Sequence, residues 1–329
     1  MPIVFMDGFD HYSSDDPASD VVANGWAYAS SNAYLNSQVG TRFTTNPGRQ
    51  IYTTDGNMYM RKNGLTATAN MTLGLACKVN GNLTEDNFVI FYENGTAAGN
   101  LDINSAGNIL VQNSSGTTVE TSTEKLIKAR WHYIEVSCYS NASGSITVDV
   151  DGVNWITKTG IATGGGQLTD VAFRMDDNWF FDDVYITDDL TRLGQPRILT
   201  LDVNAQGTGT SNWTGSNTDV DDPGGTAEAT IDSTYINSST TGQTEVLAYA
   251  DLPTGSWDIK AVRPSFKYYN PDGGSPSFKV TGDNNASTSG IVTTSQYKTI
   301  DDVWNHANGS TGGWSETQVD GLEITVEYE

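Results

Sequence analysis

The chain has 329 residues and carries 17 Lys and Arg against 40 Asp and Glu, a formal net charge of -23. So negative a surface repels phosphate backbones rather than neutralising them, which excludes nucleic-acid binding. Three widely separated histidines (His11, His132, His306), two cysteines outside any Cys-x-x-Cys pair and no apolar run near the roughly 20 residues of a membrane span leave little material for zinc sites, Cys/His catalysis or membrane insertion.

The opening Met1 to Asp7 has no basic region and no extended apolar region, so no signal peptide is expected. The Asn-x-Ser/Thr sequons between Asn70 and Asn308 then read as accidents of a chain rich in Asn, Ser and Thr. Abundant Gly, Ser, Thr and Asn without long 3.6-period stretches predict many short strands joined by turns. The expected class is all-β, and the length suits two domains.

Ile3 to Phe9 reads as the opening strand, followed by a polar stretch from His11 to Asn24 and by the aromatics Trp26, Tyr28 and Tyr34. Gln50 to Thr54 and Met58 to Arg61 flank an Asp55-Gly56 turn. Met71, Leu73, Leu75, Cys77 and Val79 alternate with Thr72, Gly74, Ala76 and Lys78, the pattern of a strand with one buried face. Phe88 to Tyr92, Asn100 to Ile103 and Asn108 to Gln112 add short strands bounded by Gly or Asn. Ile134, Val136 and Cys138 share one face, as do Ile146, Val148 and Val150, and Asp151-Gly152 suits a tight hairpin before Val153 to Thr157. Trp179 to Ile186 closes the block. Gly194 and Pro196 mark a boundary that divides the chain into residues 1–195 and 196–329.

Beyond the boundary, Ile198 to Val203 starts a strand, and the Gly-, Thr-, Ser- and Asn-rich segment 206–225 reads as an exposed loop. Strand-like runs return at Ala227 to Ile231, Thr244 to Tyr249, Trp257 to Val262 and Ser277 to Val280, giving a smaller C-terminal β-domain. Ser315 and Gln318 have capping-box spacing ahead of a final strand. There Leu322, Ile324, Val326 and Tyr328 alternate with Glu323, Thr325, Glu327 and Glu329. Cys77 and Cys138 fall on inward positions and are expected to be buried, reduced thiols.

Three segments in order, Arg130-Trp131-His132-Tyr133-Ile134-Glu135-Val136, Val148-Asp149-Val150-Asp151-Gly152-Val153 and Phe181-Asp182-Asp183-Val184-Tyr185-Ile186, resemble successive strands of concanavalin A-like (laminin G-like) jelly rolls. The resemblance covers about residues 1 to 190 and implies a jelly-roll sandwich there. Val4-Phe5-Met6-Asp7-Gly8-Phe9-Asp10-His11-Tyr12 is similar to the opening of tailed-bacteriophage virion structural proteins. The second block resembles their C-terminal module through Tyr235 to Thr240, Asp251-Leu252-Pro253, Val303-Trp304 and Gly312 to Glu323, although Asn305-His306-Ala307-Asn308-Gly309 departs from its usual Asn-Pro-Ala-Thr-Gly-like segment.

These resemblances imply a non-enzymatic virion component, assembled in the host cytoplasm with other virion proteins and as a homo-oligomer. It could serve as capsid decoration, head fibre or tail fibre. The alternatives are an adhesin for a host surface glycan and a polysaccharide hydrolase. Hydrolysis requires paired carboxyl groups; Glu323 with Glu327 and Asp149 with Asp151 have suitable spacing, but the Glu-x-Asp-x-x-Glu signature of the familiar hydrolase branch is absent, and these acids are expected on solvated strand faces and turns. No catalytic, cofactor-binding or metal residue is therefore assigned. Calcium at Asp182-Asp183 or at Asp219, Asp221 and Asp222 stays an alternative to turn capping. A sugar platform among Trp26, Trp155, Trp179, Trp213 and Trp314 competes with core packing.

Overall fold

Short runs of alternating side chains become strands wherever a Gly, Asn or Asp can reverse the chain, and in the computed structural model nearly every regular element is a strand. The structure describes residues 2–12, 21–22, 24–28, 36–39, 42, 49–52, 58–175, 178–221, 234–268, 277–282, 285–286, 290–291, 298–307 and 312–329. The chain forms two compact units, the first ending at Leu199 and the second running from Thr200 to Glu329.

The first unit contains β1 (Ile3–Asp7), β2 (Trp26–Tyr28), β3 (Asn36–Val39), β4 (Arg49–Tyr52), β5 (Met58–Lys62), β6 (Asn70–Val79), β7 (Glu85–Glu93) and β8 (Thr96–Ile103). It continues with β9 (Ile109–Gln112), β10 (Thr118–Thr121), β11 (Trp131–Tyr139), β12 (Gly144–Val150), β13 (Val153–Ile161), β14 (Asp170–Met175) and β15 (Trp179–Thr187). Two antiparallel sheets result, ordered β13-β12-β11-β6-β15-β4-β3, with β1 also on β15, and β10-β9-β8-β7-β14-β5-β2. Their inner faces share one apolar core, to which the first sheet gives Leu73, Leu75, Ile134 and Val148 and the second gives Val89, Phe91, Leu101, Val111 and Phe173. This is an all-β jelly-roll sandwich. The hairpin between β12 and β13 turns on Asp151 (φ 53°) and Gly152 (φ 77°), the left-handed pair that a two-residue turn requires.

One expectation fails on β6, where both faces are buried rather than one. The reason is a segment without sheet partners, Asp188 to Ile198, laid across the outer face of the first sheet. Its backbone is satisfied by side chains, as buried peptide groups must be. Thr68 Oγ1 donates to the Asp188 carbonyl (3.1 Å) and Thr72 Oγ1 to that of Asp189 (2.8 Å). Glu135, 1% exposed, accepts from the N–H groups of Leu193 and Gly194 and from the Tyr185 hydroxyl. Asp183 accepts from Ile198 N–H (2.6 Å) and pairs with Arg42. Of the strand expected from Ile198 to Val203, Ile198 is held instead by Asp183, and only Val203 falls in a strand.

In the second unit, β16 (Val203–Gln206), β17 (Thr244–Tyr249), β18 (Ser265–Tyr268), β19 (Ser277–Gly282), β20 (Asn285–Ala286), β21 (Gly290–Ile291), β22 (Lys298–Asp301) and β23 (Glu323–Tyr328) are the described strands. They form a sheet ordered β16-β17-β23-β19-β20, with β21 on β19, and a separate β18–β22 pair. Trp304, Trp314, Val319, Leu322 and Ile324 belong to its core. Ser315 Oγ accepts from Gln318 N–H (3.3 Å) and Gln318 Oε1 from Ser315 N–H (2.9 Å), the expected capping box of a short helix, Glu316–Asp320.

Trp257 to Val262 is not a continuous strand: it makes only single bridges, Ile259 with Trp314 and Val262 with Trp304. The segment expected as a free loop starts inside β16 and is exposed but pinned, through Gly207 N–H to Val246 (2.9 Å), Asn212 N–H to Thr244 (2.8 Å) and a Thr214–Asn237 bridge. Residues 222–225, the expected strand at 227–231, Asp55-Gly56 and Tyr34 lie outside the described residues.

Two outcomes follow from the packing. A Cβ at Gly74 would collide with the Tyr185 ring. Gly74→Ala should therefore cost about 1–3 kcal/mol in urea denaturation, and an unchanged midpoint would contradict this close approach. Cys77 and Cys138 are both buried and free, and burial raises both thiol pKa values. They lie opposite His132 and Met71, six positions apart along the ladder, so about 20 Å of strand separates them, far beyond disulfide reach. Both thiols should react with Ellman's reagent only after denaturation.

Candidate functional site

The face of the second sheet turned away from the core carries an organised polar cluster. Strand register sets one row across five strands: Arg61 opposite Ala172, Ala172 opposite Ile90, Ile90 opposite Asn100, and Asn100 opposite Gln112. At about 4.8 Å per strand the row spans about 19 Å. Ala172 and Ile90 are buried and form an apolar middle between two polar ends.

At one end, the pairing of β7 with β8 shifts between Glu85 and Val89. Such a bulge re-aims a side chain, and here Asn87 adopts φ 59°, a conformation Asn tolerates better than most residues. The result is a closed ring of four residues. Asn87 N–H donates to Asp102 Oδ1 (2.7 Å), Asn100 Nδ2 donates to Asn87 Oδ1 (2.9 Å) and to Gln112 Oε1 (2.7 Å), and Gln112 Nε2 returns to Asp102 Oδ2. The ring fixes which way each amide points. With both its amide hydrogens committed, Asn100 has its carbonyl, an acceptor, left to offer. Burial is the largest influence on Asp102 and, with the nearby Asp86 charge, holds its pKa above the usual carboxylate value despite the bonds from Asn87 and Gln112.

At the other end, Tyr59 donates to the Tyr92 hydroxyl (2.6 Å), and the Arg61 guanidinium lies 4.1 Å from the centre of the Tyr92 ring while pairing with Asp170. Asp170 also accepts from Gly64 N–H (3.3 Å). Arg61 Nε is buried and makes no hydrogen bond. Burial, followed by the Tyr92 hydrogen bond, pushes the Tyr59 phenol well above its ordinary pKa. Arg174, opposite Tyr59, donates to the Asp86 carbonyl (3.1 Å) and lies 3.7 Å from Glu85.

The acidic pairs singled out by spacing have structural partners instead. Asp149 pairs with Arg192 (2.6 Å) and accepts from Asn154 (2.7 Å). Asp151 accepts from Tyr133 N–H (2.9 Å) and binds His132 Nδ1 (2.8 Å), whose Nε2 accepts from Ile127 N–H, so the ring proton sits on Nδ1. Glu323 is capped by Thr208, and Glu327 faces Lys279. Asp182 and Asp183 sit at a bulge of β15 and are deeply buried; burial raises both pKa values, and Asp182 rises further from the charge of Asp183. Asp219 caps a turn through Ser216, and Asp222 lies outside the described residues. Among the described residues no three acidic, His or Cys side chains converge as a metal site.

The tryptophans do not form a platform. Trp26 and Trp179 are core residues whose indoles donate to Asp7 and to the Asn82 carbonyl. Trp155 packs at the core margin, Trp213 lies 5.9 Å from Phe278, and Trp314 is buried beside Trp304. The residues missed were Tyr59, Arg61, Tyr92, Asn100 and Gln112. Their signal was alternation: Tyr59 and Arg61 straddle the buried Met60, and Tyr92 follows the buried Phe91.

No family model matches this chain, and no curated protein matches it in sequence. Among solved structures it is similar to an endo-beta-1,4-glucuronan lyase from the fungus Trichoderma reesei at 10% identity and TM-score 0.44, covering 59% of this chain and 98% of that one. It is also similar to the cellulose-induced protein Cip1 (12%, TM-score 0.42, 58% and 99% covered). A third is domain 4 of an extracellular arabinanase from Geobacillus stearothermophilus, in complex with arabinotriose (15%, TM-score 0.39, 55% and 92% covered). At such identities none of them assigns a function to this chain.

Carboxyl titration by NMR tests the ring. Asp102 should titrate above about 3.9, the ordinary aspartate value, and higher still in Gln112→Ala, which removes a bond favouring the charged form. A midpoint below the ordinary value would contradict the geometry. Glu93 should move the other way. Burial opposes its ionisation, but Ser140 and the N–H groups of Gly165, Gly166 and Gln167 outweigh that and lower its pKa. Its stabilising contribution is thus present above the unfolded glutamate value, near 4.3, and lost as pH falls through the lower folded value. Glu93→Gln should flatten the acid limb of a stability profile.

Proposed function

We propose that this protein is a carbohydrate-binding protein that holds a glycan across the outer face of the second sheet without cleaving it. The observation that carries the reading is the closed Asp102–Asn87–Asn100–Gln112 ring, joined through the register row of Asn100 and Gln112 to Arg61 and, beside it, Tyr59 and Tyr92. Sugar recognition needs fixed donors and acceptors for hydroxyls and aromatic or apolar surface for the C–H face of a ring. The half-buried Tyr59 and Tyr92 supply aromatic surface at one end and the ring supplies oriented acceptors at the other, with about 19 Å of sheet spanned by the row between Arg61 and Gln112.

Binding without turnover is supported by the state of the groups that would have to react. The Tyr59 phenol, raised by burial, is a poor general base near neutral pH. Asp170 is tied to Arg61 and Gly64, and Asp102 to Asn87 and Gln112, so neither is poised as half of a hydrolytic pair.

The further reading, a host-receptor adhesin on a tailed-phage particle, is supported by the sequence resemblances at Val4 to Tyr12 and in the second unit. A particle component without glycan affinity is the competing role on the same resemblance. The full chain should be retained on host surface polysaccharide and release no reducing ends. Tyr92→Ala and Asn100→Ala, with unchanged circular dichroism, should each weaken retention about tenfold, a loss of ~1.4 kcal/mol. Cleavage abolished by Asp102→Asn would overturn the non-enzymatic reading. Absence from purified particles by mass spectrometry would remove the virion reading and leave the glycan one standing.

A further inference from the structure

The charges around the row bear on which glycan it takes. Among the described residues two guanidinium groups stand at this face, and each already faces a carboxylate. Arg61 is paired with Asp170, and Arg174 lies against Glu85 and the Asp86 carbonyl. Asp102 differs: the bonds on its carboxylate come from neutral donors, Asn87 N–H and Gln112 Nε2, while Asp86 adds a second negative charge nearby. Carboxylates therefore outnumber cations here, within a chain of net charge -23.

A sugar hydroxyl arriving at this end would donate to the Asp102 carboxylate or to the Asn100 carbonyl, both acceptors held in place by the ring. A uronate arriving there would set its own carboxylate against Asp102, with no uncommitted cation in the ring to meet it. Like charges brought together at a desolvated contact repel strongly unless a proton or cation intervenes. At the other end a uronate would compete with Asp170 for Arg61, and displacing Asp170 would exchange one ion pair for another and leave that buried carboxylate without its partner.

We propose, on the basis of the glycan reading above, that the outer face of the second sheet selects uncharged oligosaccharides and rejects polyuronates, with Asp102 as the residue that sets the discrimination. The selection is negative: it comes from a fixed anion that a neutral hydroxyl satisfies and a carboxylate cannot.

The test is isothermal titration calorimetry of the full chain with xylo-, cello-, manno- and arabino-oligosaccharides, against oligoglucuronate, oligoalginate and oligogalacturonate of matched length. The best neutral probe should bind at least about tenfold tighter than any uronate at low salt. Asp102→Asn removes the charge and, with it, one of the two acceptors that Asp102 gives the ring; the ratio of neutral to uronate affinity, in which a loss common to both probes cancels, should fall about tenfold, whereas Asp258→Asn in the second unit should leave that ratio unaltered. A uronate that binds as tightly as the best neutral probe overturns the selectivity and leaves the glycan reading intact. An unchanged ratio in Asp102→Asn overturns the role given to Asp102. Binding of no probe of either kind, in a protein shown to be folded, overturns both the selectivity and the glycan reading beneath it.

Discussion

Two sheets that share one core leave every strand with alternate side chains facing away from that core, and each outer face must then be covered or made fit for water. The first unit solves this differently on its two sides. Across the first sheet it lays the segment Asp188 to Ile198, and the cost is a set of peptide groups with no strand to pair with. Glu135, Asp183, Thr68 and Thr72 meet that cost from the sheet below. These residues are polar and buried for a structural reason, and the resemblance to jelly-roll strand signatures at Tyr133 to Val136 and Phe181 to Ile186 runs through the same positions.

On the second sheet the outer face keeps a polar character of its own. A bulge puts Asn87 in a left-handed conformation, and the ring it closes with Asp102, Asn100 and Gln112 satisfies most of the polar atoms involved while orienting the rest. At the far end of the row from the ring, Arg61 makes a second cluster with Tyr59 and Tyr92 and pairs with Asp170. A fold needs neither cluster to bury its apolar residues, since Val89, Phe91, Leu101 and Val111 do that on the opposite face of the same strands. The proposed glycan site therefore lies on the outer face of the second sheet.

Much of the fold was legible from alternation and turn chemistry. Asp151-Gly152 named its hairpin, Ser315 and Gln318 named a helix start, and the periodicity of β11, β12 and β23 put the right residues inward. What alternation could not reveal was anything that depends on a distant segment. The second buried face of β6 comes from residues over 100 positions later, and Trp257 to Val262 fails as a strand because only isolated residues find partners. The site was hidden for the same reason. Tyr59, Tyr92, Asn100 and Gln112 are each unremarkable in sequence and come together only through the order β5-β14-β7-β8-β9. Carboxylate spacing pointed elsewhere, to Asp149 and Asp151 or Glu323 and Glu327, because spacing along one strand says nothing about the Arg192, His132, Thr208 and Lys279 waiting across it.

The most direct test of the account is to watch the ring itself. Side-chain amide resonances of Asn87, Asn100 and Gln112, assigned by single substitution, can be followed by NMR while a neutral oligosaccharide is titrated into the intact chain. Saturable shifts are expected in these amides and in the Arg61 Nε–H, with the buried His132 ring unaffected. Saturable binding that left all four signals in place and moved resonances of the second unit instead would contradict it.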